Sequence, residues 1–292
     1  MDPLSGEMSL QPLEGGWSGE TFLAEAAGER SVVRIFASDR HGPHAAEVQA
    51  ALLELMRGLV PVPRVLELRR ASAEAPALLV TAYVAGVRGD LLLPTLDDAG
   101  LRAVGERVGR LAATLAGMPQ QRAGLFADGE LRVEPFALDL TEWVADHEEA
   151  LGWSEADRGG LRRVADEAQT LLDKVDRVSL VHSDLNPKNL LLDPDTLEIA
   201  ALLDWEYAHA GHPFADLGNV LRLDREPAYV DAALAGYTDL RDGTATEALD
   251  LARAADLVAL VDLAARREAN PVAARAHDRL LAIARSGDLH ST

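Results

Sequence analysis

LVHSDLNPKNLLLD (residues 180–193) sets His182, Asp184 and Asn189 in a short polar loop between two apolar runs. The residues that follow sharpen its reading. NLLLD (189–193) is an apolar strand, PDTLE (194–198) carries turn formers, and IAALLDWE (199–206) is a second apolar strand. The segment therefore reads as a β-hairpin. Closure near Thr196 and Leu197 would place Asn189 opposite Asp204, because cross-strand partners lie roughly 5 Å apart. A carboxylate and an amide oxygen then converge, the ligand chemistry of a hard cation such as Mg²⁺, whose remaining positions are filled by phosphates and water.

Working outward, residues 10–85 are mixed. A glycine-containing stretch, LEGGWSGETFLAE (13–25), leads into SVVRIF (31–36), a helical stretch from about Pro43 to Arg57, then PVPRVLEL (61–68) and ALLVTAY (77–83). Short aliphatic and β-branched strands bounded by Gly and Pro predict a small sheet with one helix. After Gly86 the periodicity turns helical. Leu101, Val104, Val108, Leu111 and Leu115 form one apolar stripe, with Thr95 and Asp98 at capping-box spacing ahead of it and Gly117 and Pro119 after it. Further helices are expected at 143–150, 160–175, 229–237, 246–267 and 271–285. The division predicted is an α+β chain of two lobes, 1–85 and 86–292, the second mainly helical.

Composition narrows the partners. Of 292 residues 48% are apolar, and no apolar run approaches bilayer-spanning length. MDPLSGEMSL lacks the basic and apolar regions of an export signal, so a cytoplasmic location and no membrane partner are expected. With no cysteine, any metal is held by oxygen or imidazole. A formal charge of −20 argues against nucleic acid and favours a cationic ligand. Lys174 and Lys188 are the only lysines; every other basic side chain is arginine.

His182-Ser183-Asp184 followed by Asn189 has the spacing of the kinase catalytic loop, H-R-D-x-x-x-x-N, in which the aspartate orients the attacking hydroxyl. HSDLNPKN (182–189), LLDWE (202–206) and GHPFADLGNV (211–220), with GGWSGETF (15–22), VVRIF (32–36) and PVPRVL (61–66), resemble the aminoglycoside phosphotransferase group, kinase-like small-molecule phosphotransferases that also include choline kinases. The resemblance implies a bilobal protein-kinase-like fold that binds ATP or GTP between its lobes. Asp184 would be the catalytic base, Asn189 and Asp204 the Mg²⁺ ligands, His182 a brace of the loop and Asp216 its buried anchor.

In the first lobe, Gly15, Gly16, Ser18 and Gly19 form a turn whose backbone N–H groups could approach phosphates. Arg34 stands where the family places a basic residue over them, commonly lysine. Glu47 opens the stripe Val48, Leu52, Leu55, Leu59 and is the first candidate to hold Arg34, with Glu54 as competitor. The purine is expected against VTAYVAG (80–86), bonded to backbone near Ala82 and Val84. Lys188 either neutralises charge on the transferred phosphoryl group or faces solvent. His209 and His212 read as structural. Asp139, Glu142, Trp143, Asp146, Glu206, Asp224, Asp256 and Asp262 are candidate contacts for a polycationic acceptor, an aminoglycoside or a basic cyclic peptide of the capreomycin and viomycin type. FADGELRVEPF (126–136) inclines the reading to the peptide branch. A metabolic kinase of choline, an amino-alcohol or a sugar, or a nucleotide-binding pseudokinase, is the alternative.

Overall fold

The computed structural model describes residues 9–13, 21–26, 28–37, 41–136, 138–223 and 226–291. In chain order its first elements are β1 (Ser9–Pro12), β2 (Thr21–Ala26), β3 (Glu29–Phe36), α1 (Ala45–Met56), β4 (Val65–Arg69), β5 (Ala77–Ala82), β6 (Val87–Arg88) and α2 (Gly89–Leu92). There follow α3 (Asp98–Ala116), β7 (Pro119–Gln120), β8 (Gly124–Phe126), β9 (Val133–Pro135), α4 (Leu140–His147), α5 (Glu155–Leu172) and β10 (Val178–Val181). The last are β11 (Leu190–Leu192), β12 (Ile199–Leu202), β13 (His209–Gly211), α6 (Ala215–Leu221), α7 (Pro227–Thr238), α8 (Ala245–Ala265) and α9 (Pro271–Ser286).

The chain divides into two compact units. One comprises Met1–Leu92, Phe126–Glu134 and Lys188–Glu206; the other comprises Leu93–Leu125, Pro135–Pro187 and Tyr207–Thr292. A single cut after residue 85 misses this arrangement. The hairpin β11/β12 belongs with the first unit because β11 pairs with β6, Leu191 facing Arg88, and because Leu202 N–H donates to Pro61 O at 2.8 Å. Pairings so far apart in sequence leave no periodic signal.

In the first unit five antiparallel strands lie in the order β1-β2-β3-β5-β4. Central β3 aligns Arg34 with Thr21 on one side and Leu79 on the other. Helix α1 buries Ala46, Gln49, Ala50, Leu52, Leu53 and Met56. That face is rotated from the stripe read in the sequence: Leu55 and Leu59 are exposed, and Leu59 lies beyond the helix end at Met56.

The second unit is mainly helical. Leu140, Val144, Leu161, Val164, Leu257, Val261, Leu280 and Ile283 from α4, α5, α8 and α9 share one core. Helix starts are capped by side chains: Asp97 accepts from Gly100 N–H, Ser154 from Asp157 N–H and Asn270 from Val272 and Ala273, and Thr244 with Glu247 completes a capping box. The cap of α3 is thus Asp97 rather than Thr95. Strands β7, β10, β13 and β8 pair in that order, with Leu180 of β10 facing Ala210 of β13.

Helices α3 and α7 approach closely at Gly105 and Gly109. A Cβ on Gly105 would lie 2.5 Å from the carbonyl oxygen of Tyr229, and one on Gly109 nearer still to that of Ala233. Backbone rather than a movable side chain blocks the space, so strain must be taken up by shifting a helix. Replacing Gly109 by alanine is expected to lower unfolding stability by about 1–3 kcal/mol from overpacking, despite the helix-propensity gain of about 1 kcal/mol that alanine brings. Urea denaturation of Gly109→Ala against wild type measures this.

Candidate active site

The loop after β10 begins at a fully buried histidine. Leu180 and Val181 are buried in the sheet, and His182 continues inward. Its backbone N–H donates to Asp216 Oδ2 and that of Ser183 to Asp216 Oδ1, both at 2.9 Å. Asp216 sits in the first turn of α6, and Asn219, one helical turn on, donates from Nδ2 to Ser183 O at 3.0 Å. One short helix therefore grips the loop by two donors and an acceptor. Ser183 adopts φ +69°, a left-handed conformation that a non-glycine residue holds only when its surroundings impose it. The turn redirects the chain so that Asp184 emerges half-buried. Asp184 N–H donates to His182 Nδ1 at 3.3 Å, and Asn186 Nδ2 donates to Asp184 Oδ1 at 2.6 Å. Asn186, whose part the sequence did not reveal, fixes the direction of that carboxylate.

Burial pushes the Asp216 carboxyl up, the N–H groups of His182 and Ser183 pull it down, and the charge of Asp184 raises it again; the result is about 6, against 3.8 for an ordinary aspartate. Burial instead lowers the pKa of His209 and that of His212, the latter to about 4. Among the described residues no trio of His, Cys, Asp or Glu gathers as a metal cage.

The first unit carries the other half of the motif. The hairpin register is Leu190↔Leu202 with a shift between Leu191 and Leu192, and Leu203 N–H donates to Asn189 O at 2.8 Å. Leu203, not Asp204, therefore stands across from Asn189: the turn closes earlier than Thr196 and Leu197, with Asp193 N–H donating to Glu198 O at 2.9 Å, and the bulge on β12 makes up only one of the two residues of offset. Asp204 follows at φ +61°. Trp205 is buried, its indole N–H donating to Leu202 O at 3.2 Å. Arg34 reaches this turn from β3: Nη1 donates to Asp204 Oδ1 at 2.7 Å and lies 3.4 Å from Gln49 Oε1, while Nη2 donates to Glu206 Oε2. Burial works against the guanidinium charge, but Asp204 and Glu206 more than offset it, and the Arg34 pKa is raised.

Neither glutamate of α1 pairs with Arg34. Glu47 Oε1 lies 3.6 Å from His44 Nδ1 and 3.7 Å from Arg70 Nε, and Glu54 meets Arg57 at 3.2 Å. The helix turns Gln49 toward the arginine instead. Lys188 is exposed in the turn Pro187–Asn189, and its charge reaches Asp90, whose carboxylate is held low first by hydrogen bonds from Arg88 at 2.9 and 2.6 Å. Ala82 N–H is committed to Arg64 O at 2.8 Å, and Val84 follows in the strand-free segment after β5.

Several expected acceptor contacts have other occupations. Asp139 caps α4, accepting from Thr141 and Glu142 N–H at 2.8 and 3.0 Å, and its pKa is lowered first by the Thr141 hydroxyl. Trp143 spends its indole N–H on Val258 O at 3.0 Å. Asp256 is buried against Arg222 at 2.8 Å, and Asp262 pairs with Arg266 one turn away. Glu206 belongs to Arg34. Glu142 and Asp146 are exposed on α4. Gly16, Ser18, Gly19 and Asp224 lie outside the described residues.

A loop carrying H-x-D-x-x-x-x-N that starts at a buried histidine, on an α+β chain with an antiparallel amino-terminal sheet, is the pattern of the kinase-type phosphotransferase class. The model of the phosphotransferase enzyme family matches residues 9–252, and the chain belongs to that family. The aminoglycoside 3′-phosphotransferase of Streptomyces ribosidificus is 30% identical over 196 residues, covering 63% of this chain and 69% of that protein. Mouse acyl-CoA dehydrogenase family member 10 is 25% identical over 218 residues; the match takes in 73% of this chain and 20% of that protein. Among solved structures, aminoglycoside phosphotransferase APH(4)-Ia in ternary complex with ADP and hygromycin B gives a TM-score of 0.66 at 20% identity, covering 96% of this chain and 94% of that one. A microcompartment-associated aminopropanol kinase gives 0.67 at 21% identity, with 96% and 92% covered. These likenesses carry the kinase-like fold. Among the described residues no helix is long and apolar enough to cross a membrane.

The raised Asp216 pKa has a thermodynamic signature. A carboxyl that binds its proton more tightly when folded contributes stability below its unfolded pKa near 3.8, and that contribution is lost as pH rises through about 6. The stability difference between wild type and Asp216→Asn is therefore expected to move against the wild type by on the order of 2 kcal/mol between pH 4 and pH 7. Thermal or chemical unfolding of both proteins across that range reads the change in slope.

Proposed function

We propose that the protein transfers the γ-phosphoryl group of ATP or GTP to a hydroxyl of a small cationic antibiotic, an aminoglycoside or a basic cyclic peptide of the capreomycin and viomycin type. The observation that carries the reading is the Asp184 carboxylate, oriented by Asn186 on a loop that Asp216 grips from below. The acceptor hydroxyl would donate to Asp184. As its oxygen bonds to the γ-phosphorus the proton passes to the carboxylate, while the bond from phosphorus to the bridging oxygen breaks and a nucleoside diphosphate leaves. The transition state of such transfers is loose, so alignment and charge neutralisation matter more than the basicity of Asp184.

Asn189 and Asp204 would hold Mg²⁺. Their donor set fits: one amide and one carboxylate at neighbouring ends of β11 and β12, the oxygen chemistry and small protein share that Mg²⁺ takes when phosphates and water complete its shell. When bound, the ion neutralises phosphate charge. Arg34 would add a fixed cation on the same unit. A purine would meet the Ala82 carbonyl and the Val84 backbone, since Ala82 N–H is already spent. The formal charge of −20 and the exposed Glu142 and Asp146 favour a cationic acceptor. A second reading, a metabolic amino-alcohol kinase, draws on the likeness to the aminopropanol kinase.

Mass spectrometry after incubation with Mg²⁺, ATP or GTP and a panel of aminoglycosides, basic cyclic peptides, choline and aminopropanol tests both. One antibiotic is expected to gain a single phosphoryl group. Phosphorylation of an amino-alcohol alone would move the assignment to the metabolic reading. Asp184→Asn should retain the fold by circular dichroism and lose turnover by about 10²-fold or more; retained turnover would exclude Asp184 from the role given it.

A further inference from the structure

We propose that Glu206 is a positioning residue for the phosphoryl donor, holding Arg34 in place of a glutamate from α1. This rests on the phosphotransfer reading and adds to it a second-strand anchor for the arginine. Two independent features of the first unit support it. Arg34 directs both terminal nitrogens to the turn after β12, Nη2 to Glu206 and Nη1 to Asp204 at 2.7 Å. The helix that could have supplied a carboxylate offers an amide, Gln49 Oε1 at 3.4 Å from Nη1. Meanwhile Glu47 is enclosed elsewhere: it lies among His44 and Arg70, and a Cβ on Gly129 of the β8/β9 hairpin tip would lie only 3.2 Å from Glu47 Cβ.

The division of labour between the two carboxylates follows from chemistry. Asp204 is the side chain assigned to the divalent cation, so its hold on Arg34 is shared. Glu206 is the partner the arginine need not share. A guanidinium is a planar fork whose two terminal nitrogens can be held by different acceptors, and a carboxylate on one prong sets the direction of the other. The Arg34 side chain is 14% exposed and Glu206 18%, so the pair is shielded enough for its geometry to persist. A lone buried arginine without Glu206 would retain its charge and lose its direction.

The test is a double-mutant cycle read by calorimetric titration of ADP and GDP with Mg²⁺, with thermal unfolding as the check that each variant folds. Glu206→Gln is expected to weaken diphosphate binding about tenfold, the scale of one charge-assisted hydrogen bond. In an Arg34→Gln background the same substitution should change affinity by less than about twofold, because its route of action is gone. Glu47→Gln should cost less than Glu206→Gln. Unchanged binding in Glu206→Gln overturns the anchor, and tighter binding overturns it as well, by showing that the carboxylate competes with phosphate for Arg34. An equal loss in both backgrounds overturns it in favour of a direct cation contact. A rise in acceptor KM with diphosphate affinity intact overturns it in favour of an acceptor contact. Should wild type bind neither diphosphate, the phosphotransfer reading falls and takes this one with it, an outcome distinct from wild-type binding that Glu206→Gln leaves unaltered.

Discussion

Two backbone N–H groups converge on a single buried carboxylate, and the His182–Asp184 loop of the second unit hangs from that contact. Asp216 accepts from His182 and Ser183 at 2.9 Å each, one to each oxygen. Burying a carboxylate is costly unless donors meet it, and here the donors are the loop itself. Solvation lost by the acid is returned as geometry. The left-handed turn at Ser183 persists because its N–H and its carbonyl are both held from α6, and Asp184 emerges from that turn already aimed. Asn186 then engages Oδ1 of that carboxylate and fixes its direction.

In the first unit charge plays the part that backbone donors play in the second. Arg34 meets two acidic side chains separated in sequence by the buried Trp205, whose indole N–H goes to Leu202 O. An ammonium group could approach either carboxylate, but a guanidinium meets both with separate nitrogens and remains charged despite burial. Arg34 thus takes both its carboxylate partners from the hairpin end and only an amide oxygen from α1.

What the sequence made legible was local. Polar residues wedged between apolar runs marked the loop, and turn formers at 194–198 marked the hairpin. The stripe from Leu101 to Leu115 marked α3, whose Val104, Val108, Leu111 and Leu115 are buried. The errors came where a long-range contact or a single backbone step decides. The turn closes between Asp193 and Glu198, earlier than expected, and the bulge at Leu191/Leu192 restores only part of the offset, so Asp204 stands one residue beyond its expected partner. That Gln49, and neither Glu47 nor Glu54, meets Arg34 turned on the rotation of α1, fixed by packing of Ala46, Ala50, Leu53 and Met56 that the apolar pattern also allowed to be read through Leu55 and Leu59. Acidic residues misled most. Asp139, Asp256 and Asp262 looked alike in the sequence, and became a helix cap, a core ion pair and a surface pair one turn apart. Position on an element, unreadable without the fold, made the difference.

The scarcity of lysine has a practical side. Lys174 and Lys188 are the only lysine amines in the chain, and Lys188 is exposed in the turn that carries Asn189. On most proteins an acylating reagent decorates a crowded surface and its label says little about any one place. Here such a reagent finds two side chains, one of them within the polar turn that begins β11. The labelled peptide that carries Lys188, read apart from the one that carries Lys174, would therefore follow what happens at that turn without any residue being engineered.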